Sequence, residues 1–146
     1  MSSLSEFLKK HEGVRNQAYK CSAGVLTIGV GHTGSDVKAG AVWTQEEVEF
    51  ALSTDIVKAI GVVLKATKPK VLLPNQIDAL ASLAFNIGAS AFTGSSLVKK
   101  LLADDLKGAA EEFLKWDKVT QYGKKVSSAG LAKRRAAERE LFLKEK

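Results

Sequence analysis

The sequence predicts an α+β chain, mainly helical, with one small antiparallel sheet near its N-terminus. Three observations carry this. Several stretches repeat apolar residues at helical spacing, one of them long enough for about six turns. A single short stretch alternates instead, with Val25, Thr27 and Gly29 facing one way and Leu26, Ile28 and Val30 the other. Gly24, Gly29 and Gly31 punctuate it and permit tight turns and close backbone approach. The chain of 146 residues suits one domain with a sizeable core, and 45% hydrophobic with 26% charged residues is ordinary for a globular protein. No internal repeat, low-complexity tract or separating linker divides it.

The elements follow in order. Ser3 and Glu6 make a capping-box spacing with Ser3 as N-cap, Leu4, Phe7 and Leu8 form an apolar stripe, and Gly13 supplies a stop. Residues 35–43 read as a loop. Thr44 and Glu47 repeat the capping-box spacing and open a long helix to about Lys65. Val48, Ala51, Leu52, Asp55, Ile56, Ala59, Ile60 and Val63 line its inner face, with one acid among the apolar positions. Pro69 interrupts helical hydrogen bonding, so Thr67–Lys70 is a loop. Pro74 and Asn75 start the next helix and Gly88 ends it. Ile77, Leu80, Ala81, Ala84 and Phe85 pack one face, widened by Leu83 and Ile87, which makes this helix the centre of the C-terminal part. Two short helices follow, about Gly94 to Ala103 and Leu106 to Trp116, with Phe113 and Trp116 both expected in the core. Thr120–Ser128 reads as a polar loop, and a last helix spans about Ala129 to Lys144, making roughly seven in all.

A formal net charge of +6 and a pI near 9.4 favour a polyanionic partner, whether nucleic acid, anionic lipid or bacterial wall. The basic residues are dispersed and no groove-reading or base-stacking motif accompanies them, which argues against nucleic acid. One cysteine excludes an intrachain disulfide and fits synthesis in a reducing compartment. The N-terminus lacks a continuous apolar h-region, and no run reaches bilayer-spanning length, so neither a signal peptide nor a membrane anchor is expected.

The chemistry concentrates between Glu12 and Thr33. Glu12 closes the first helix, at the negative end of its dipole, a position suited to a proton donor. Eight residues separate it from Cys21, and five more separate Cys21 from Thr27. The run Thr27-Ile28-Gly29-Val30-Gly31-His32 follows in register. This arrangement resembles the active-site signature of the phage lysozymes of glycoside hydrolase family 24, in which a Glu, an Asp or Cys and a Thr precede a TIGxGH run. Leu73–Leu97 and the segment Gly130–Leu143 also resemble lambdoid endolysins, so the resemblance covers the whole chain.

The resemblance implies a lysozyme-like fold in a single domain. It has a β-containing lobe over about 13–45, a connecting helix over about 45–65 and a helical lobe over about 66–146, on which the first helix would pack. It implies a phage endolysin with muramidase activity, cleaving the β-1,4 bond between N-acetylmuramic acid and N-acetylglucosamine in peptidoglycan, with no cofactor and no metal. The enzyme would be a monomer. It would collect in the host cytoplasm and reach the wall once a holin opens the membrane. Glu12, Cys21 and Thr27 would be catalytic: Glu12 as the acid, Thr27 as holder of the water. Cys21 stands where many relatives have Asp, and a thiol with a reference pKa of about 8.5 is mostly neutral at pH 7. It is open to three roles, thiolate base, covalent nucleophile or polar neighbour of the water, and a small buried hydrophobe is the ordinary fate of a free Cys. That departure also supports an alternative, a catalytically silent glycan-binding module of a phage assembly.

Thr33, Phe85, Ser96 and Glu112 match substrate-contacting positions, although Phe85 at helical spacing also reads as core. His32 is expected to be structural rather than a base. Arg134, Arg135 and Glu138 form an RRxxE pattern, from which a guanidinium would pair with Glu12. Taken singly, each arginine reads as part of a solvated basic face.

Overall fold

A computed structural model of the chain describes residues 3–21 and 24–144. Among them the order is α1 (Ser3–Glu12), β1 (Arg15–Lys20), β2 (Leu26–Gly29), α2 (Gln45–Ala66), α3 (Pro74–Ile87), α4 (Ala89–Thr93), α5 (Ser96–Leu102), α6 (Leu106–Phe113), β3 (Lys118–Gln121), β4 (Lys124–Ser127) and α7 (Ala129–Leu143). Two compact units divide this chain, Met1–Val57 and Lys58–Lys146. The expected α+β architecture holds, with a second small sheet added.

In the first unit, Leu4 and Leu8 of α1, Ile28 and Val30 of the hairpin, Val37, and Val48, Ala51 and Leu52 of α2 are buried. β1 and β2 are antiparallel, pairing Arg15 with Gly29, Tyr19 with Thr27 and Lys20 with Leu26, with an irregularity between Arg15 and Tyr19. Gly13, at a φ of +79°, donates its N–H to Lys9 O at 2.9 Å and stops α1 where the sequence placed the stop. The α2 start is also as expected. Thr44 N–H donates to Glu47 Oε1 (2.9 Å) and Glu47 N–H to Thr44 Oγ1 (3.1 Å), a reciprocal capping box.

In the second unit, α3 is the centre, with every residue from Ala79 to Ala84 buried. It packs on α7 and α4, while α6 packs on α5 and α7. Phe92, Leu97, Leu101, Phe113 and Phe142 complete the core, with the Phe113 and Phe142 rings 5.6 Å apart and tilted. Pro74 sits in the first turn of α3, whose open end is closed by Leu73 N–H donating to Gln76 Oε1 at 2.8 Å.

Three expectations are corrected here. The polar loop at Thr120–Ser128 is largely a hairpin, in which Lys118 pairs with Ser127, Val119 with Val126, Thr120 with Lys125 and Gln121 with Lys124. Tyr122 and Gly123 both have positive φ, +51° and +78°, as a two-residue type I′ turn requires. Only one apolar residue per strand and a Tyr-Gly turn, where Asn-Gly is usual, hid the alternation. Trp116 lies beyond the end of α6 and is half-buried, so only Phe113 of that pair is core.

The third correction concerns Arg134 and Arg135, which are buried rather than solvated. Their counter-charge is Glu138, on the same helix and itself 0% exposed. Glu138 Oε2 accepts from Ser82 Oγ of α3 at 2.5 Å, from Arg135 Nη2 at 3.1 Å and from Arg134 Nε at 3.2 Å. Arg134 Nη2 also donates to Ser82 O at 3.1 Å. Arg135 Nε stands 2.8 Å from Glu138 Oε1, an ion-pair contact poorly angled for a hydrogen bond. Burial pushes the Glu138 carboxyl above its ordinary range, against the charges of Arg135 and Arg134. Removing one partner of such a cluster is costly because the others stay buried without compensation. Glu138→Ala is therefore expected to lower unfolding free energy by about 3–5 kcal/mol in urea titrations; a loss under about 1 kcal/mol would contradict a desolvated cluster.

Candidate active site

Glu12 is the last residue of α1, and its carboxyl is received by the loop after β2. Ile28 and His32 exchange both backbone hydrogen bonds, each at 2.9 Å, which closes Gly29, Val30 and Gly31 into a tight turn. Gly31 has a φ of +66°, and a Cβ there would stand 2.7 Å from Glu12 Oε1 and 3.0 Å from Cδ. The positive φ favours glycine here, and a side chain would have to displace the end of the Glu12 side chain. The carboxyl occupies the space that a side chain would take.

Cys21 and Thr27 belong to the hairpin. Tyr19 pairs with Thr27, and strand alternation puts Cys21 on the same face as Tyr19, so Cys21, Tyr19 and Thr27 share one face. Val25 O is the common anchor. It accepts the Cys21 N–H at 3.0 Å and the Thr27 hydroxyl at 2.9 Å. Gly24 N–H donates to Cys21 O at 2.8 Å and tightens the turn. Thr27 is buried and Cys21 half-buried. Because the Thr27 proton is engaged by Val25, its oxygen is left with acceptor lone pairs. On the same face the Arg15 guanidinium carbon lies 4.3 Å from the centre of the Tyr19 ring.

His32 lies between two carboxylates. Its Nδ1 lies 2.6 Å from Asp55 Oδ2 of α2 and its Nε2 3.0 Å from Asp36 Oδ2. Burial pulls the imidazole pKa down, but the hydrogen bonds to Asp55 and Asp36 and their charges outweigh it, leaving the pKa above its ordinary 6.5. Both partners were missed. Their signals were an Asp four residues after His32 and an acid set into the apolar face of α2.

Of the residues matched to substrate contacts, Thr33 is exposed and Phe85 half-buried on α3. Ser96 and Glu112 come together in the second unit, lining one cavity of about 380 Å³ with Lys115, Trp116, Lys118 and Lys125. Glu112 is buried, and its Oε2 accepts from Lys100 Nζ at 2.8 Å and Lys115 Nζ at 2.7 Å. The hydrogen bonds from Lys100 and Lys115 hold its carboxyl below the usual range. Among the described residues, no group of three or more His, Cys, Asp or Glu is placed to hold a metal, and no helix is long and apolar enough to cross a membrane.

The Phage lysozyme family profile matches residues 9–138, the span holding the Glu12 seat, the hairpin and the buried arginine cluster. The chain belongs to the phage lysozyme family. An endolysin of Acyrthosiphon pisum secondary endosymbiont phage 1 is 48% identical over 136 residues, 92% of this chain and 91% of that protein. The muramidase domain of SpmX from Asticaccaulis excentricus superposes with a TM-score of 0.89 at 33% identity, over 99% of this chain and 97% of the other. An endolysin from Escherichia coli O157:H7 phage FAHEc1 gives 0.87 at 39% identity, over 97% and 92%. This phage lysozyme is accordingly a glycoside hydrolase of the endolysin type, and the silent-module alternative is not favoured.

Two outcomes are expected. Gly31→Ala forces a methyl into the Glu12 carboxyl at a strained φ, so kcat on peptidoglycan should fall at least about tenfold while most of the fold persists. Wild-type kcat in a folded Ala variant would remove the seat from the argument. The second concerns pH. A histidine whose folded pKa is raised contributes stability that is complete below about pH 6.5 and lost as pH rises through the folded pKa. The stability advantage of wild type over Asp55→Asn should therefore shrink between roughly pH 6 and pH 9 in urea titrations; an advantage flat across that window would contradict the ion pair.

Proposed function

We propose that this lysozyme hydrolyses the β-1,4 bond between N-acetylmuramic acid and N-acetylglucosamine, with Glu12, Cys21 and Thr27 as its catalytic residues. The observation that carries this reading is the Glu12 carboxyl seated on Gly31 beside a hairpin that presents Cys21 and Thr27 on one face. Cleavage needs a proton for the leaving oxygen and a nucleophile at the anomeric carbon. Glu12 donates the proton as the carbon–oxygen bond breaks. Thr27, able only to accept, takes a hydrogen bond from the attacking water and fixes its orientation. As the water oxygen bonds to the anomeric carbon, its other proton passes to the Cys21 thiolate. The competing role, in which the thiolate itself attacks and a second water releases the sugar, gives the opposite anomer.

The positive chain is drawn to an anionic wall, and Thr33 and Phe85 contribute further glycan contacts. The enzyme acts as a monomer on peptidoglycan, reached from the host cytoplasm after a holin opens the membrane.

The test is the new reducing end released from purified peptidoglycan, identified chemically and read by NMR for its first-formed anomer. A muramic acid end supports the reading, and a glucosamine end contradicts it. Glu12→Gln should lower kcat about a hundredfold or more, and Cys21→Ser should lose most activity while Cys21→Asp keeps it. Near-wild-type turnover in a folded Cys21→Ser variant would exclude a thiolate.

A further inference from the structure

The hairpin face that presents Cys21 and Thr27 carries a further chemical element, a stacked cation. Arg15 and Tyr19 stand at either end of an irregular stretch of β1. Across it the Arg15 guanidinium carbon comes to rest 4.3 Å from the centre of the Tyr19 ring. The attraction of a guanidinium for an aromatic face holds this exposed, flexible side chain at the hairpin. Tyr19 is half-buried, so the platform beneath the cation is itself anchored. Among the described residues Arg15 has no carboxylate partner, and its charge is not cancelled.

Tyr19 and Cys21 are two strand positions apart, about 7 Å. Cys21 keeps to the ladder by donating its N–H to Val25 O at 3.0 Å. The stack therefore lies within reach of the sulfur, inside the Debye length of about 10 Å at 0.1 M salt. Other charges in this part of the first unit are sparse. β2 has no ionisable side chain. The segment held against β1 by the Gln17–Val42 bridge and the Ala18–Ala41 and Trp43–Asn16 backbone bonds brings no charge either. Lys20 alternates to the opposite face. Glu12, the acid beside Gly31, is wanted in its protonated form. What remains beside the thiol is the Tyr19 phenol and the cation stacked on it.

We propose that Arg15, stacked on Tyr19, is a positioning residue for the Cys21 thiolate, holding a fixed cation on the hairpin face where the sulfur must carry negative charge. The proposal rests on the reading in which Cys21 works ionised. A nearby opposite charge favours the ionised form of a thiol, and a cation that is already in place does so without reorganising. Arginine suits this task, since its guanidinium stays charged at every working pH and its planar head stacks on a ring. Tyr19 has the share of a platform, which keeps the charge close to the strand. Arg15 then acts through the sulfur and moves no proton itself.

Cys21 is the only cysteine in the chain, so alkylation reads one thiol without interference. Its rate against pH gives the thiol pKa in the folded enzyme. Arg15→Met removes the charge and keeps an apolar chain over the ring. The thiol pKa should then rise by about half a unit, which slows alkylation about threefold at pH 7 and leaves the limiting rate at high pH unchanged. Arg15→Lys, a cation that can still stack, should keep most of the wild-type rate. Lys20→Met deletes a charge from the opposite face and should shift the thiol less. In wild type, 1 M salt, with a Debye length of about 3 Å, should reproduce the Arg15→Met value. Turnover of peptidoglycan at pH 7 should fall about threefold in Arg15→Met and recover in Arg15→Lys, and urea titration verifies the folding of each variant. An unshifted thiol pKa in Arg15→Met overturns the proposal. An equal shift in Lys20→Met also overturns it, because general positive charge would then account for the effect. Full turnover in a folded Cys21→Ser variant would count instead against the thiolate reading itself, and the alkylation profiles tell the two failures apart.

Discussion

In the first unit the Glu12 carboxyl lies beside Gly31, on the side where a Cβ would project. Glu12 Oε1 lies where a Cβ of Gly31 would be within 2.7 Å, so a side chain at that position would have to move the acid. The surrounding elements serve this placement. Gly13 ends α1 immediately after Glu12, so the acid is fixed by helical backbone on one side. The reciprocal bridge between Ile28 and His32 holds the turn that carries Gly31. His32 in turn is clamped to Asp55 of α2, which ties the turn to a 22-residue helix. On the proposed mechanism, this placement would hold the Glu12 carboxyl in position as proton donor.

The second unit meets a different constraint with a different device. Its core is crossed by two guanidiniums, and burying them would be prohibitive without a matched acid. Glu138 matches them from within the same helix, three and four residues on, and Ser82 adds a hydroxyl from α3. Such an arrangement fixes one register of α7 against α3, since a slide of one residue would leave buried charges facing apolar neighbours. That purchase of specificity suits a helix with a weakly segregated apolar face, and α7 keeps only Phe142 as a fully buried apolar anchor.

How much of this was legible depended on whether the signal was local. The Thr44–Glu47 cap, the glycine stop after Glu12, the proline start of α3 and the strand at 26–29 are written within four or five residues, and each reappears in the structure. The Glu12, Cys21, Thr27 spacing was equally legible, and the hairpin register then places the last two on one face. What escaped needed partners far along the chain. Asp55 reads as an acid at a bad position until His32, 23 residues away, is brought to it. Arg134 and Arg135 read as solvated because Ser82 lies 52 residues away from Arg134. The β3–β4 hairpin failed for the opposite reason, since its signal is local but faint, one valine per strand. Trp116 was misplaced by carrying α6 one turn too far, which moved a cavity-lining ring into the core.

The hydroxyl of Thr27 gives the substitution at position 21 its mechanistic weight. With its proton engaged by Val25 O, Thr27 can accept but not donate. An aspartate at position 21 would be acceptor-only as well, so a water between the two would give one proton to each and turn its lone pair outward, toward a sugar. A neutral cysteine differs, because its S–H can donate where an ionised aspartate can only accept. On the proposed mechanism, the thiolate is the form of Cys21 that would accept as an aspartate does. On that mechanism, the ionisation that makes sulfur a base or nucleophile would also orient the water. On that mechanism Cys21 must be ionised while Glu12 is protonated, and the fraction of molecules meeting both conditions would set the activity at a given pH. The Asp-to-Cys exchange is thus compatible with an active phage lysozyme, and on the proposed mechanism it would move control of the reaction from a group ionised at neutral pH to one whose ionisation the hairpin must support.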